Sequence, residues 1–206
     1  MKDLLYIHGF LSSPQSLKAR QTEAWVRACH PEARVHVPAL PVDPLAALAC
    51  LESVIRGCST TPGLTSPGLA SPGLSSPGLI GSSLGGFYAN ILAARHGLRA
   101  VLVNPAVHPH RLMGDYVGPQ RNHHTGDVCE VTLAHCHQLE QLDVVPPHPE
   151  RLWVLLETGD ETLDYRQATQ FYAACHLDVT PGGTHAYEGY VDRLPAIWEF
   201  LSKKSV

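Results

Sequence analysis

The chain has 206 residues, 44% of them hydrophobic, which suits one globular domain with a sizeable core. Its 15 basic and 19 acidic side chains leave a formal net charge of only -4 at pH 7. This balance argues against nucleic acid or an anionic membrane as a partner, but a local site for a charged small substrate can differ from the average.

No apolar segment is long enough for a signal peptide or a membrane span, so a cytoplasmic protein is expected. The six cysteines are scattered without a paired framework. In a reducing compartment they are expected to be free thiols, mostly small buried hydrophobic residues. Nothing in the sequence indicates an oligomeric state.

Short apolar runs alternate with stretches of helical period along the chain, which predicts βα units and a mainly parallel sheet. Strands are predicted at 4–7, 34–37, 79–81, 100–103, 152–157 and 177–180. Helices are predicted at 14–29, 44–55, 84–96 and 164–175, with Asp164 as an N-cap or first-turn acid of the last. A final apolar helical face contains Pro195, which predicts a break with Pro195 in the first turn of the last helix.

Residues 62–79 contain an internal repeat, in which Pro-Gly-Leu recurs every five residues. Ser-Pro-Gly is typical of turns, and a period of five fits neither helix nor strand. A surface insertion over 60–78 is the favoured interpretation, and a partner-binding or lid segment is the alternative.

The sequence Gly81-Ser82-Ser83-Leu84-Gly85 has the form G-x-S-x-G between an apolar strand and a helix. This context is typical of a nucleophile elbow, in which the residues two before and two after the serine must be small. Glycines fill both places around Ser83, whereas Ile80 lies two residues before Ser82. Ser83 is therefore the candidate nucleophile, although a glycine-rich packing turn is the structural alternative.

Backbone amides for an oxyanion hole are expected beside this serine. One comes from the residue after the nucleophile, Leu84, and the other from the loop after an early strand, where Phe10 is the candidate. Gly9 allows the turn that aims the Phe10 amide, and the His8 side chain is expected to be structural.

Two later segments supply a candidate acid and base. An apolar strand ends at Gly159-Asp160, where Asp160 can orient a histidine, with Glu161 and Asp164 as rivals. The run Gly-Gly-Thr-His places His185 in a loop after the last predicted strand. The order Ser83, Asp160, His185 is the order of an α/β-hydrolase triad.

Five motifs in order resemble the YqiA-like esterases over essentially the whole chain outside the insertion. They begin at His8, Gly81, Asn104, Thr158 and Gly182. The resemblance implies a compact α/β-hydrolase over 1–206, with a mainly parallel central sheet flanked by helices. It also implies a triad at Ser83, Asp160 and His185 acting on acyl esters, with acyl-CoA thioesters as further small-molecule substrates.

Residues 105–149 separate two predicted core strands, which predicts a small cap that shapes the acyl pocket. Met113 and Tyr116 are candidate substrate-binding residues there. The segment is rich in histidine, but its spacings do not match usual zinc sites, so no metal and no cofactor are expected.

Three alternatives to a hydrolase stay open. An acyltransferase would use the same triad with an alcohol or amine in place of water. A hydrolase fold kept as a non-catalytic binding module is the second. A nucleotide-binding βα fold is disfavoured, because the glycine-rich turn lacks a phosphate-loop lysine and the dinucleotide spacing.

Overall fold

The computed structural model describes residues 1–59, 76–122 and 124–203. Most of the Pro-Gly-Leu insertion therefore lies outside the described residues. The prediction that it is on the surface falls on those same residues. Its last unit is described, and there Gly78 and Leu79 already belong to a buried strand.

Within the described residues, six parallel strands form the central sheet, in the order β2-β1-β3-β4-β7-β8, and β5 and β6 form a separate antiparallel hairpin. The strands are β1 (Asp3–Ile7), β2 (Arg34–His36), β3 (Gly78–Ser82), β4 (Ala100–Val103), β5 (Gly118–Arg121), β6 (Val128–Val131), β7 (Leu152–Glu157) and β8 (His176–Thr180). The predicted sheet strands are present, with ends that differ by at most one residue.

Helices cover both faces of this sheet. They are α1 (Leu17–Cys29), α2 (Pro44–Ser59), α3 (Leu84–His96), α4 (Pro109–Met113), α5 (Leu133–Leu142), α6 (Tyr165–Phe171) and α7 (Tyr190–Ser202). One core joins α2, α3 and α5 to the sheet, and a second joins α1 and α7 to its other face. Because both faces are covered, the central strands are continuous apolar runs. The predicted mainly parallel central sheet flanked by helices is confirmed.

The predicted break at Pro195 is wrong. α7 runs unbroken from Tyr190 to Ser202 with Pro195 inside it. Proline removes the bond to the carbonyl four residues earlier, which belongs to Val191 in the first turn. Val191 is exposed, so solvent can satisfy that carbonyl, and Leu194 and Ile197 keep the helix packed on the sheet.

The cysteines are free, as expected, but the expectation that most are buried is wrong. Only Cys136 is buried, and Cys29 is exposed. Among the described residues, no helix combines the length and the apolar character needed to span a membrane.

The excursion between β4 and β7 carries α4, the β5–β6 hairpin and α5. α5 begins with a capping box, in which Thr132 and His135 each satisfy a backbone amide of the other. Asn122 Nδ2, after β5, donates to the carbonyl of Ser12 at 2.9 Å, which ties the hairpin to the loop after β1.

Asn104, at the end of β4, joins three segments near the carboxyl edge of the sheet. Its Oδ1 accepts from the amide of Glu157 at 3.0 Å. Its Nδ2 donates to the carbonyls of Thr184 and His185, at 3.0 and 3.3 Å. Asn104 is 2% exposed, so these bonds replace contacts with water that the side chain cannot make.

We expect Asn104→Ala to lower the free energy of unfolding by about 2–3 kcal/mol, because it leaves buried backbone groups unpaired. Alanine is also strained at the φ of 41° found there. Urea denaturation of this variant beside Gln167→Ala, an exposed control expected to stay within about 0.5 kcal/mol, measures the effect. Equal stabilities of the two variants would contradict the structural role of Asn104.

Candidate active site

Ser83 lies in a strained turn between β3 and α3. Its φ is 56° and its ψ is -123°, a conformation that residues with a side chain rarely adopt. The Ser83 amide donates to the carbonyl of Val103 at 3.0 Å, and its carbonyl accepts from Gly86 and Ala106 at 2.9 and 3.0 Å. Ser82, the other serine of the motif, is the last residue of β3 and is buried.

The glycines around Ser83 are required by backbone contacts. A Cβ at Gly81 would lie 2.2 Å from the carbonyl oxygen of Gly85, and a Cβ at Gly85 would lie 2.0 Å from that of Ile7. Both distances are far inside van der Waals contact. α3 thus begins directly against the end of β1, which a side chain at Gly85 would prevent.

His185 and Asp160 form a hydrogen-bonded pair at the same edge of the sheet. The distance from His185 Nδ1 to Asp160 Oδ2 is 2.8 Å, and the Asp160 side chain is 2% exposed. This bond uses Nδ1, so Nε2 is the nitrogen left for proton transfer. Among the described residues, no hydrogen bond joins His185 to the Ser83 hydroxyl, but residues 104–106 contact the backbone of both.

Burial raises the pKa of Asp160, but hydrogen bonds to its charged form outweigh burial and hold the pKa below its ordinary value. These bonds come from His185 and from the amides of Leu163 and Thr162, both at 2.8 Å from Oδ1. Asp160 is therefore ionised at neutral pH, as a partner of an imidazolium must be.

The two rival acids have other contacts. The carboxylate of Asp164 accepts from the amide of Arg166 at 3.0 Å and caps α6, as predicted. Glu161 accepts from the backbone amide of His185 at 2.9 Å. It therefore holds the loop, while the ring is bound to Asp160.

Sequence reasoning missed Glu157, which organises the loop of His185. This carboxylate, 2% exposed at the end of β7, accepts from the amides of Thr184 and Glu188 at 2.8 and 2.9 Å. A Cβ at Gly183 would lie 2.1 Å from its carboxyl carbon, which explains one glycine of the Gly-Gly pair. The available signal was an acid closing an otherwise apolar strand.

Lys18 on α1 was also missed. Its Nζ donates to the carbonyl of Ala186 at 2.7 Å, next to His185. Desolvation lowers the pKa of Lys18 to about 8, although the charges of Glu157 and Asp160 oppose this shift. A helix far away in sequence thus supports the histidine loop, and no local pattern marks such a contact.

The loop after β1 comes close to Ser83. A Cβ at Gly9 would lie 3.2 Å from the Ser83 Cβ and 3.6 Å from its Oγ. Leu11 has a positive φ of 51°, which turns the chain after Phe10. Among the described residues, the amides of Phe10 and Leu84 have no hydrogen-bond acceptor, so both are available to a ligand.

A cavity of about 310 Å³ is lined by Phe10 and Leu84 but not by Ser83, Asp160 or His185. Its lining is more apolar than polar and includes Phe10, Leu40, Val42, Leu84, Tyr88 and Asn122. Volumes of roughly 300–1,000 Å³ are usual for small-molecule sites. His8 also lines the cavity; its Nδ1 is 3.0 Å from the carbonyl of Gly9, and burial lowers its pKa.

The two candidate substrate-binding residues have different positions. Met113 is buried in the core at the end of α4 and does not line the cavity. The ring of Tyr116 is 40% exposed and packs edge-to-face on Phe10, with centroids 5.5 Å apart. Tyr116 therefore contacts the residue whose amide is a candidate oxyanion donor.

Several histidines of the cap segment already have partners within the protein. His108 Nδ1 is hydrogen-bonded to Asp143, and His110 Nδ1 lies 3.8 Å from the same carboxylate. His135 caps α5. His123 lies outside the described residues.

Solved structures similar to this chain are α/β-hydrolases. They include Est1E from Butyrivibrio proteoclasticus with ferulic acid bound (TM-score 0.72, 13% identity, 97% of this chain and 88% of that one). A putative hydrolase from Agrobacterium vitis S4 also matches, with a TM-score of 0.72 and 14% identity, over 98% of this chain and 88% of that one. A third is α/β hydrolase domain-containing protein 10 from mouse, with a TM-score of 0.67 and 14% identity, over 98% of this chain and 90% of that one. At these identities the likeness shows the fold.

A family model matches nearly the whole chain. It is described as Uncharacterised protein family (UPF0227) and covers residues 3–202, a range that includes every candidate site residue. The chain therefore belongs to family UPF0227, the YqiA-like esterases that its motifs resemble.

Proposed function

We propose that this protein is a serine esterase that hydrolyses acyl esters or acyl-CoA thioesters through Ser83, His185 and Asp160. The observation that carries the proposal is the 2.8 Å pair of His185 Nδ1 and Asp160, at the same sheet edge as a serine in a strained elbow. Strain held in place by packing is typical of functional sites.

In the first step, His185 Nε2 takes the hydroxyl proton of Ser83 as its Oγ attacks the acyl carbon. Asp160 keeps the proton on Nδ1 and stabilises the imidazolium. Collapse of the tetrahedral intermediate passes the proton from Nε2 to the leaving alcohol or thiol and leaves an acyl-enzyme. Water then attacks with the same base, and the acid is released.

The negative charge of each tetrahedral intermediate would be held by the amides of Phe10 and Leu84. Leu84 begins α3, so its amide belongs to the helix end that carries partial positive charge. Phe10 follows Gly9, where a Cβ would lie 3.2 Å from the Ser83 Cβ and would crowd the serine. Pre-oriented donors of this kind supply about 3–4 kcal/mol each to such reactions.

The 310 Å³ cavity is the proposed acyl site. Phe10 and Leu84 line it on either side of Ser83 in the proposed oxyanion hole, so in this proposal an acyl group bound to Ser83 reaches it past these two residues. Its lining is more apolar than polar, and its volume is at the low end for ligand sites. A short or medium acyl chain fits these properties. In this proposal, Tyr116 shapes the site through Phe10, and Met113 supports the cap from the core.

We expect Ser83→Ala to abolish both ester hydrolysis and covalent labelling by a fluorophosphonate, because it removes the nucleophile while leaving the backbone packing intact. Ser82→Ala, one residue away, should keep both. Activity is measured with p-nitrophenyl acetate and labelling by mass spectrometry. Labelling of Ser83→Ala at the wild-type level would rule out the assigned nucleophile.

We expect Val42→Phe to shorten the acyl site. The ratio of kcat/KM for a p-nitrophenyl octanoate to that for the acetate should fall at least about tenfold, since one buried ring displaces several methylenes. Val145→Phe is the matched control, because Val145 is 70% exposed and does not line the cavity. The same series with acyl-CoAs measures thioester preference. An unchanged ratio in Val42→Phe would place the acyl chain elsewhere.

A further inference from the structure

We propose that Asp3, His36 and Cys58 form a zinc-binding site on the edge of the sheet opposite the candidate active site. The expectation of no metal arose from ligand spacing within the cap segment, whereas these three residues come from three separate elements. Their ligand atoms all lie within 4.8 Å of one another.

The strand register brings Asp3 and His36 together. Asp3 begins β1, and β2 pairs with β1 in parallel so that His36 lies opposite Leu5. Side chains two residues apart on a strand point to the same face, so Asp3 lies on the face of Leu5. His36 reaches back along that face, and its Nε2 is 2.9 Å from Asp3 Oδ1.

Helix α2 supplies the third ligand. Leu48, Leu51 and Ile55 form its buried stripe, and Cys58 follows at the next position of the same face. An apolar residue would be expected there. Instead the thiol meets a carboxylate and an imidazole, where the stripe passes beyond the edge of the apolar core.

These donors suit zinc in particular. Zn²⁺ accepts sulfur, nitrogen and oxygen ligands together, at about 2.0–2.3 Å in a tetrahedral arrangement. The three protein atoms must then lie roughly 3.3–3.7 Å apart, which requires shifts of about an ångström or less from a cluster of this size. Solvent would fill the fourth position, and the Cys58 thiol would lose its proton on binding.

The side chains around the cluster are compatible with a bound cation. The Asp3 side chain is 15% exposed and that of His36 is 31% exposed, so an ion can enter from solvent. Burial and the charge of Asp3 raise the pKa of the Cys58 thiol, and Arg34, exposed across from Asp3 in the register, opposes this shift. One Zn²⁺ with a carboxylate and a thiolate adds no net charge to be buried.

Such a site would act on stability, since it joins β1, β2 and α2. Asp3 is at the start of β1, and the loop that approaches Ser83 begins at the other end of that strand, about 17 Å away. Binding zinc would therefore raise the midpoint temperature of unfolding, and the ion would take no part in the reaction at Ser83. It would also hold the end of α2, the helix that precedes the Pro-Gly-Leu insertion in the sequence.

The test uses full-length, tag-free protein stripped with a chelator and titrated with Co²⁺ and then Zn²⁺ under reducing conditions. We expect one equivalent of Co²⁺ to give a thiolate-to-cobalt charge-transfer band that Zn²⁺ removes. The band should be lost in Cys58→Ser and kept in Cys50→Ser, a control on the same helix. The absence of a band in the wild type would overturn the proposal. A band of wild-type strength in Cys58→Ser would also overturn it and would indicate an adventitious ion only.

His36→Gln and Asp3→Asn keep the thiol and provide a second line of evidence. We expect each to weaken Zn²⁺ binding at least about tenfold by isothermal titration and to abolish the zinc-dependent rise in thermal midpoint. Wild-type affinity in both would refute the site. Ser83→Ala should bind zinc as the wild type does, so failure of the esterase proposal and failure of the zinc proposal are separable.

Discussion

Close backbone packing at the start of α3 is the constraint on which the candidate site depends. Gly85 lies against the carbonyl of Ile7, and Gly81 lies against Gly85, so that β1, β3 and α3 meet without side chains between them. Ser83 has its positive φ within this packing, and its Oγ lies close to Gly9. Any larger residue at Gly85 would push the helix off the strand and separate the serine from the Phe10 amide.

Polar contacts extend this order to the histidine. The loop of His185 is bound by the side chains of Asn104, Glu157 and Glu161 and by the amine of Lys18. These side chains bond mostly to backbone groups of the loop. The path of the loop therefore depends little on which side chains the loop itself carries. Two of these side chains, Asn104 and Glu157, are buried and belong to strand ends, which do not move independently of the sheet.

The two edges of the sheet carry different functional groups. At the carboxyl edge, the ends of β1, β3, β4 and β7 bring together the proposed triad, the free amides and the cavity. At the other side, Asp3, His36 and Cys58 converge where the core ends. The first arrangement is proposed to act on substrate, and the second to hold the edge strands and α2 in place.

The sequence by itself determined the elements and the candidate residues that local rules govern. Buried parallel strands are apolar runs, so the strand bounds were readable, and the glycines at fixed positions made Ser83 rather than Ser82 the candidate nucleophile. Only the tertiary structure decided which acid meets His185, that Glu157 and Lys18 support its loop, and that Pro195 is accommodated within α7. These outcomes depend on contacts between residues that are distant in the chain, and on local exposure. Neither leaves a periodic pattern in the sequence.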